Sequence, residues 1–222
     1  LNLDFRKLNP DTSRIRPVFK SLAADIKIRF ILADKEPNGN PTNGINRINT
    51  SRSTFATNIY GSYSEDMKST NNGGQTAWNP ARYLNIWVCN LGSGLLGYAQ
   101  FPGGSPDTDG VVILHESLPG GSAANYNLGR TASHEVGHYL NLRHIWGDGR
   151  CRQDDFVVDT PTSDGPNYRC PAYPTVNCSS TDMTMNYMDY TYDACMYMFT
   201  DGQRNRMRAI FASGGAREIM IQ

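Results

Sequence analysis

The sequence predicts an α+β fold in which residues 1–144 form a mixed sheet packed against helices, and residues 145–222 form an irregular half closed by one last helix. Three observations carry this reading. Short runs of branched and aromatic residues with strand character recur before residue 120. A proline-free stretch at 127–140 tolerates a helix, and TDGQRNRMRAIFASGG, 200–215, carries its own start signal, apolar stripe and stop. At 222 residues and 39% hydrophobic, the chain has the size of a single domain.

Taken in order, DIKIRFILA, 25–33, places Ile26, Ile28, Phe30 and Leu32 on one face, the period of a half-buried strand. EPNGNPTNGIN is turn chemistry throughout, and STNNGGQTAWNP, 69–80, is a second irregular loop. Between them RINTSRSTFATNIY, 47–60, suits helix and strand equally. RYLNIWVCNL, 82–91, reads as a central strand because it is rich in aromatic and branched residues. LLGYAQF, 95–101, and GVVILHES, 110–117, are two more strands. The last helix has Thr200 and Gln203 in capping-box spacing, Met207, Ile210 and Phe211 along one stripe, and Gly214 to end it.

Composition narrows the partners. Lys plus Arg equals Asp plus Glu at 21 each, so no net charge favours nucleic acid or a membrane surface. No apolar run is long enough to span a bilayer. Cys151, Cys170, Cys178 and Cys195 fall in one loop-rich stretch without a CxxC pair and read as two disulfides, with three connectivities open. Disulfides imply an oxidising compartment. The opening LNLDFRKLNP has no signal-peptide pattern, so the chain reads as a mature, secreted, extracellular protein. Cys89, in an apolar run, reads as a buried free thiol.

Three of the four histidines stand in ASHEVGHYLNLRH. If 127–140 is a helix, His134 and His138 lie one turn apart on one face and reach a single ion. A third ligand from a continuing helix would fall at 141 or 142, yet the histidine is His144, so the chain must bend sharply at Asn141. Asparagine tolerates the left-handed region that such a bend requires. Three neutral imidazoles leave a zinc position for water, the arrangement of a catalytic site. Glu135 is then placed to take a proton from that water. His115 reads as a structural or exposed residue.

HEVGHYLNLRH resembles the extended metzincin motif, and with LGYAQFPG, DDFVVDTP and MNYMDYTYDACMYMFTDGQ it is similar to the pappalysin family over most of the chain. It differs from most metzincins in Asn141, where they have Gly. The resemblance implies a metzincin fold: a single catalytic domain 1–222 with an upper subdomain, 1–144, containing a twisted mixed sheet and helices, an irregular lower subdomain, 145–222, and a cleft between. It implies that Met188 of NYMDY supports the zinc site from below and that Tyr190 steadies the oxyanion. It also implies that Gly97, Tyr98 and Ala99 form a strand pairing with extended protein or peptide substrates. Asp193 would lie at the base of the pocket that selects Lys or Arg after the cut. Structural calcium at Asp155, Asp159 and Thr160, disulfides Cys151–Cys178 and Cys170–Cys195 and an inhibitory prosegment in the precursor complete what the resemblance implies; a monomer is expected besides. The rival is a non-catalytic adhesion or binding module with structural zinc and calcium.

Overall fold

The computed structural model describes residues 1–55, 64–92 and 94–220, so the end of the ambiguous 47–60 segment lies outside the described residues. Its described part, 47–55, forms neither helix nor strand. The first regular element, α1 (Asn2–Phe5), is a single turn. A three-stranded sheet follows, with β3 (Val111–Leu114) in the middle, β1 (Ile86–Cys89) parallel to it and β2 (Gly97–Ala99) antiparallel. VVIL is buried at every position. An unbroken apolar run without alternation is what a strand covered on both faces requires.

Two expectations need correction here. The 82–91 run is not central: β1 is one of the sheet's two outer strands among the described residues, with Ile86 and Val88 exposed on one face and Trp87 buried on the other. Its alternation already marks a half-covered strand. The strand expected at 25–33 does not form. Lys27 turns left-handed at φ 59°, and the backbone of the segment is held by the N-terminal turn, Ile26 N donating to Phe5 O at 2.8 Å and Phe30 N to Asn2 Oδ1 at 2.8 Å. Phe30 then meets Phe5 edge-on at 4.9 Å between centroids. The alternation marks Ile26, Ile28 and Phe30 as turning inward, but Leu32 is exposed, and the pattern does not supply a ladder partner.

The sheet's two faces serve two clusters. Val111 and Ile113 pack with Val136, Tyr139, Leu140 and the methionines of 183–198 in the main core, whereas Val112 and Leu114 join Trp87, Tyr98, Met67 and Phe55 behind the sheet. This period of two lays α2 (Arg130–Tyr139) against the first face.

Past residue 145 regular structure is sparse: β4 (Tyr168–Arg169) pairs in parallel with β7 (Tyr190–Thr191), and β5 (Val176–Asn177) pairs antiparallel with β6 (Ser180–Thr181). Disulfides Cys151–Cys178 and Cys170–Cys195 staple this half. By closing loops 27 and 25 residues apart, they restrict the unfolded chain where apolar packing is thin. Cys89 is free but only half-buried: it shares the inner face of β1 with Trp87 and packs against the second cluster from the end of an edge strand. The last helix, α3 (Asp201–Ala209), has the capping box in full: Gln203 N donates to Thr200 Oγ1 and Thr200 N to Gln203 Oε1.

Candidate metal centre

The site starts from the ends of α2. The helix begins at Arg130 rather than 127 because Gly129, at φ 88°, sits in the left-handed region at its N-cap. Asp193 Oδ2 accepts from Leu128 N at 2.8 Å and Arg130 N at 3.2 Å, supplying the start that no local side chain provides. At the other end Asn141 adopts φ 77°, Asn141 N donates to His138 O at 2.8 Å and Leu142 N to Gly137 O at 2.9 Å. This pair of bonds is a Schellman motif, with asparagine in the place glycine usually takes. Arg206 of α3 donates from Nε to Asn141 O at 2.7 Å, fixing the bend from outside.

The bend returns His144 to the other two histidines. Nε2 of His138 lies 3.1 Å from Nε2 of His134 and 3.1 Å from Nε2 of His144. Each opposite nitrogen faces an oxygen: His134 Nδ1 meets Tyr187 O at 2.7 Å, His138 Nδ1 meets Leu142 O at 2.8 Å, and His144 Nδ1 meets the Asp148 carboxylate. A carbonyl oxygen only accepts, so the protons sit on Nδ1 and three Nε2 lone pairs converge. Lone pairs facing one another repel unless a cation lies between them. Zn–N bonds of about 2.0–2.1 Å in tetrahedral geometry would separate the nitrogens by roughly 3.3 Å, close to the observed spacing. Burial keeps all three rings neutral, pushing His144 down to about 3 and lowering His134 and His138. The residues therefore fit zinc.

Glu135 is buried, and desolvation pushes its carboxyl up to about 8. It lies against β2: a Cβ placed on Gly97 would come 3.0 Å from Glu135 Cγ and 2.8 Å from Val112 O. Gly97 is thus where the strand must lack a side chain for the helix to approach. Tyr98 points to the opposite face into the second cluster, and Ala99 packs toward the first. Among the described residues β2 pairs with β3 alone.

Met188 is fully buried beneath the helix, its sulfur 2.4 Å from where a Cβ on Gly137 would stand. The Tyr190 ring lies 4.8 Å from that of His144 and 5.6 Å from that of His134. Asp193 is buried, and desolvation raises its pKa against the opposing pull of the helix amides. Asp155 and Thr160 come together, with Thr160 Oγ1 donating to Asp155 at 2.8 Å, and both line a polar cleft with Asp154 and Val158. Asp159 instead turns to α3, accepting from Thr200 Oγ1 at 2.6 Å and Gly202 N at 2.8 Å. His115 is exposed at the end of β3, outside the histidine cluster.

Some of the surroundings escaped sequence reasoning. Trp146 stacks on His144 at 4.3 Å with 3° between planes. Arg130 is buried and ties α2 to Asp4, Asp11 and Tyr187, while Ser133 also binds Asp4. The i,i+4 spacing of His144 and Asp148 was visible; the partners of Arg130 are too distant in sequence to be read.

A helix carrying HExxH, a left-handed bend returning a third imidazole and a methionine beneath them are the attributes of the metzincin metallopeptidases. Within that class the chain belongs to the pappalysin-type family Peptidase_M43, described as pregnancy-associated plasma protein-A, whose model matches residues 66–212. Its fold is similar to that of mature mirolysin from Tannerella forsythia, solved in complex with a cleaved peptide: TM-score 0.92 and 49% identity, covering 99% of this chain and 84% of that one. A Tannerella forsythia promirolysin matches at TM-score 0.92 and 49% identity, covering 99% of this chain and 74% of that one. An extracellular metalloprotease of Arthroderma benhamiae is 44% identical over 133 residues, 56% of this chain and 49% of that protein. The chain spans about half the length of such fungal relatives.

The contact of Gly137 with Met188 generates a prediction. Gly137→Ala gains about 1 kcal/mol of helix propensity but overpacks an enclosed site at about 1–3 kcal/mol. The variant should therefore be less stable in urea, by about 1 kcal/mol on balance. A double-mutant cycle with Met188→Ala should show the two changes partly cancelling; strict additivity would mean the sulfur moves aside freely.

Proposed function

We propose that this chain is the catalytic domain of a secreted zinc-dependent endopeptidase, 1–222, with an upper subdomain, 1–144, and a lower one, 145–222. The observation that carries the reading is the convergence of three unprotonated Nε2 atoms beside a buried carboxyl. His134, His138 and His144 would hold the zinc. When bound, zinc supplies Lewis acidity that polarises a peptide carbonyl and makes water nucleophilic at neutral pH. Glu135 takes the proton from the attacking water and delivers it to the leaving amine. The Tyr190 phenol donates to the developing oxyanion. Gly97, Tyr98 and Ala99 bind extended substrate along the side of β2 that faces away from β3. Peptides as substrates draw support from the cleaved peptide bound by mirolysin.

Secretion is supported by the two disulfides and by the extracellular naming of the fungal relatives. No helix among the described residues is long and apolar enough to cross a membrane. The promirolysin match supports an inhibitory prosegment in the precursor. The rival, a binding module with structural zinc, calls for a fourth protein ligand, and the cluster among the described residues comprises three side chains.

For specificity, Asp193 carries the preference for Lys or Arg after the scissile bond, where a confined carboxylate rewards a cation. Structural calcium is held in the polar cleft, with Asp155 and Thr160 as ligands and Asp159 shaping the loop from its far side through α3.

Three measurements test these readings. Incubated with a denatured protein, the parent chain should generate new termini that a chelator abolishes, and Glu135→Ala should retain zinc and fold while cleaving at least about 100-fold more slowly; near-normal turnover by that variant would reject the mechanism. Asp193→Asn keeps an oxygen for both amides it caps while losing the charge, so the fold should persist and the bias toward Lys or Arg should weaken; an unchanged cleavage-site profile removes Asp193 from the pocket. Calcium at about 100 times its dissociation constant should add about 2.7 kcal/mol of stability, raising the melting temperature by roughly 5–10 °C for a chain of this size. Indifference of the melting curve to millimolar calcium would leave the cleft a solvated turn.

A further inference from the structure

Among the three imidazoles, His144 is held differently. His134 and His138 lie on a helix, and each gives its Nδ1 proton to a main-chain carbonyl, Tyr187 O and Leu142 O. Those acceptors come with the backbone path and need no particular side chain. His144 lies beyond the bend, with its side chain 15% exposed, and its Nδ1 partner is the carboxylate of Asp148, itself 55% exposed. Local geometry makes the choice of residue at 148 informative. Gly147 and Asp148 are successive left-handed residues, at φ 64° and 60°, in a turn closed by Gly147 N donating to His144 O at 2.9 Å. Backbone energetics alone favour glycine at such a position, and Asp tolerates it at some strain. What Asp148 adds is an anion at the outer nitrogen of the third imidazole.

The rest of the ring's surroundings fix its plane and leave its in-plane rotation to Asp148. Trp146 covers one face at 4.3 Å, nearly parallel, and Tyr190 approaches edge-on at 4.8 Å. Stacking resists tilting but permits sliding and a half-turn about the Cβ–Cγ bond that would put Cδ2 in place of Nδ1 and Cε1 in place of Nε2. A charged acceptor at Nδ1 selects one orientation and one tautomer. We propose that Asp148 is the positioning residue of the metal centre: it aims His144 Nε2 at the convergence point and strengthens that nitrogen as a donor, so that zinc retention depends on it. The inference rests on the zinc reading above. Asp148 does not touch substrate.

The test is zinc affinity, read by competition with a chromogenic chelator on the folded chain, with the absorption spectrum of the cobalt-substituted protein as a second readout. Asp148→Gly relieves the left-handed strain, so a role confined to the turn predicts unchanged metal binding and metal-free stability no lower than that of the parent. A positioning role predicts zinc affinity lower by about 10- to 100-fold in that variant, as for other partners of ligating imidazoles, and a changed cobalt spectrum. Asp148→Asn, which accepts the same backbone angle and keeps an acceptor oxygen without the charge, should fall between. Asp148→Gly holding zinc as tightly as a zinc-binding parent overturns this inference and leaves the zinc reading standing; a parent chain that binds no zinc overturns both.

Discussion

Three nitrogen lone pairs pointing at one another are the constraint on which this structure turns. Each imidazole has its proton committed outward, to Tyr187 O, Leu142 O or Asp148, so none can relieve the convergence by hydrogen-bonding its neighbour. Burial removes the alternative of charging the rings, because desolvation disfavours the imidazolium. Such a site is stable around a cation and poorly suited to anything else. The same desolvation raises Glu135, and an adjacent cation favours the ionised form that can act as a base.

Holding the repulsive arrangement requires rigidity from several directions. The bend at Asn141 is fixed by its own Schellman bonds and by Arg206 from α3, so the C-terminal helix helps place the third histidine without touching the other two. The opposite end of α2 is capped by Asp193, two residues beyond β7, the strand that carries Tyr190. The Arg130 side chain binds Asp4 and Asp11 of the N-terminal segment and the Tyr187 hydroxyl, while its own backbone N makes one of the cap bonds to Asp193. A buried guanidinium shared by two carboxylates is a network in which loss of the guanidinium leaves both carboxylates without their cation. The active helix is therefore clamped by the N-terminal segment, the 183–198 region and α3 together.

How far the sequence revealed this depends on the range of each interaction. The zinc motif, the bend at Asn141 and the capping box of α3 are local: spacing within one or two helical turns and the left-handed tolerance of asparagine decide them, and a single sequence displays both. The 25–33 segment is the opposite case. Its apolar alternation marks an inward face as far as Phe30, since Ile26 is buried and Ile28 and Phe30 pack against the core while Leu32 is exposed, but whether it becomes a strand depends on which backbone lies beside it, and α1 supplies those partners. The order of the sheet was missed for a related reason. RYLNIWVCNL and GVVILHES have similar composition, and only the absence of alternation in VVIL separates a covered middle strand from an outer one. Asp4 and Asp11 showed no signal at all, because their partner Arg130 lies more than a hundred positions away.

The lower half raises a different question: how a region with two-residue strands keeps Tyr190 in place beside the histidines. β4 and β7 are too short to be stable as an isolated pair. The Cys170–Cys195 disulfide joins the residue after β4 to the short turn following β7, so the two strands are linked covalently just past their ends. Buried Asp189, immediately before Tyr190, accepts from Asn167 N at 2.8 Å and from Asn167 Nδ2 at 3.0 Å, which fixes the chain immediately before β4. Between these two fastenings Tyr190 packs against the rings of Trp146 and Tyr168. The disulfide and the buried carboxylate thus replace the long ladder that elsewhere holds a strand, and placing a phenol beside the histidine cluster needs only two residues of sheet.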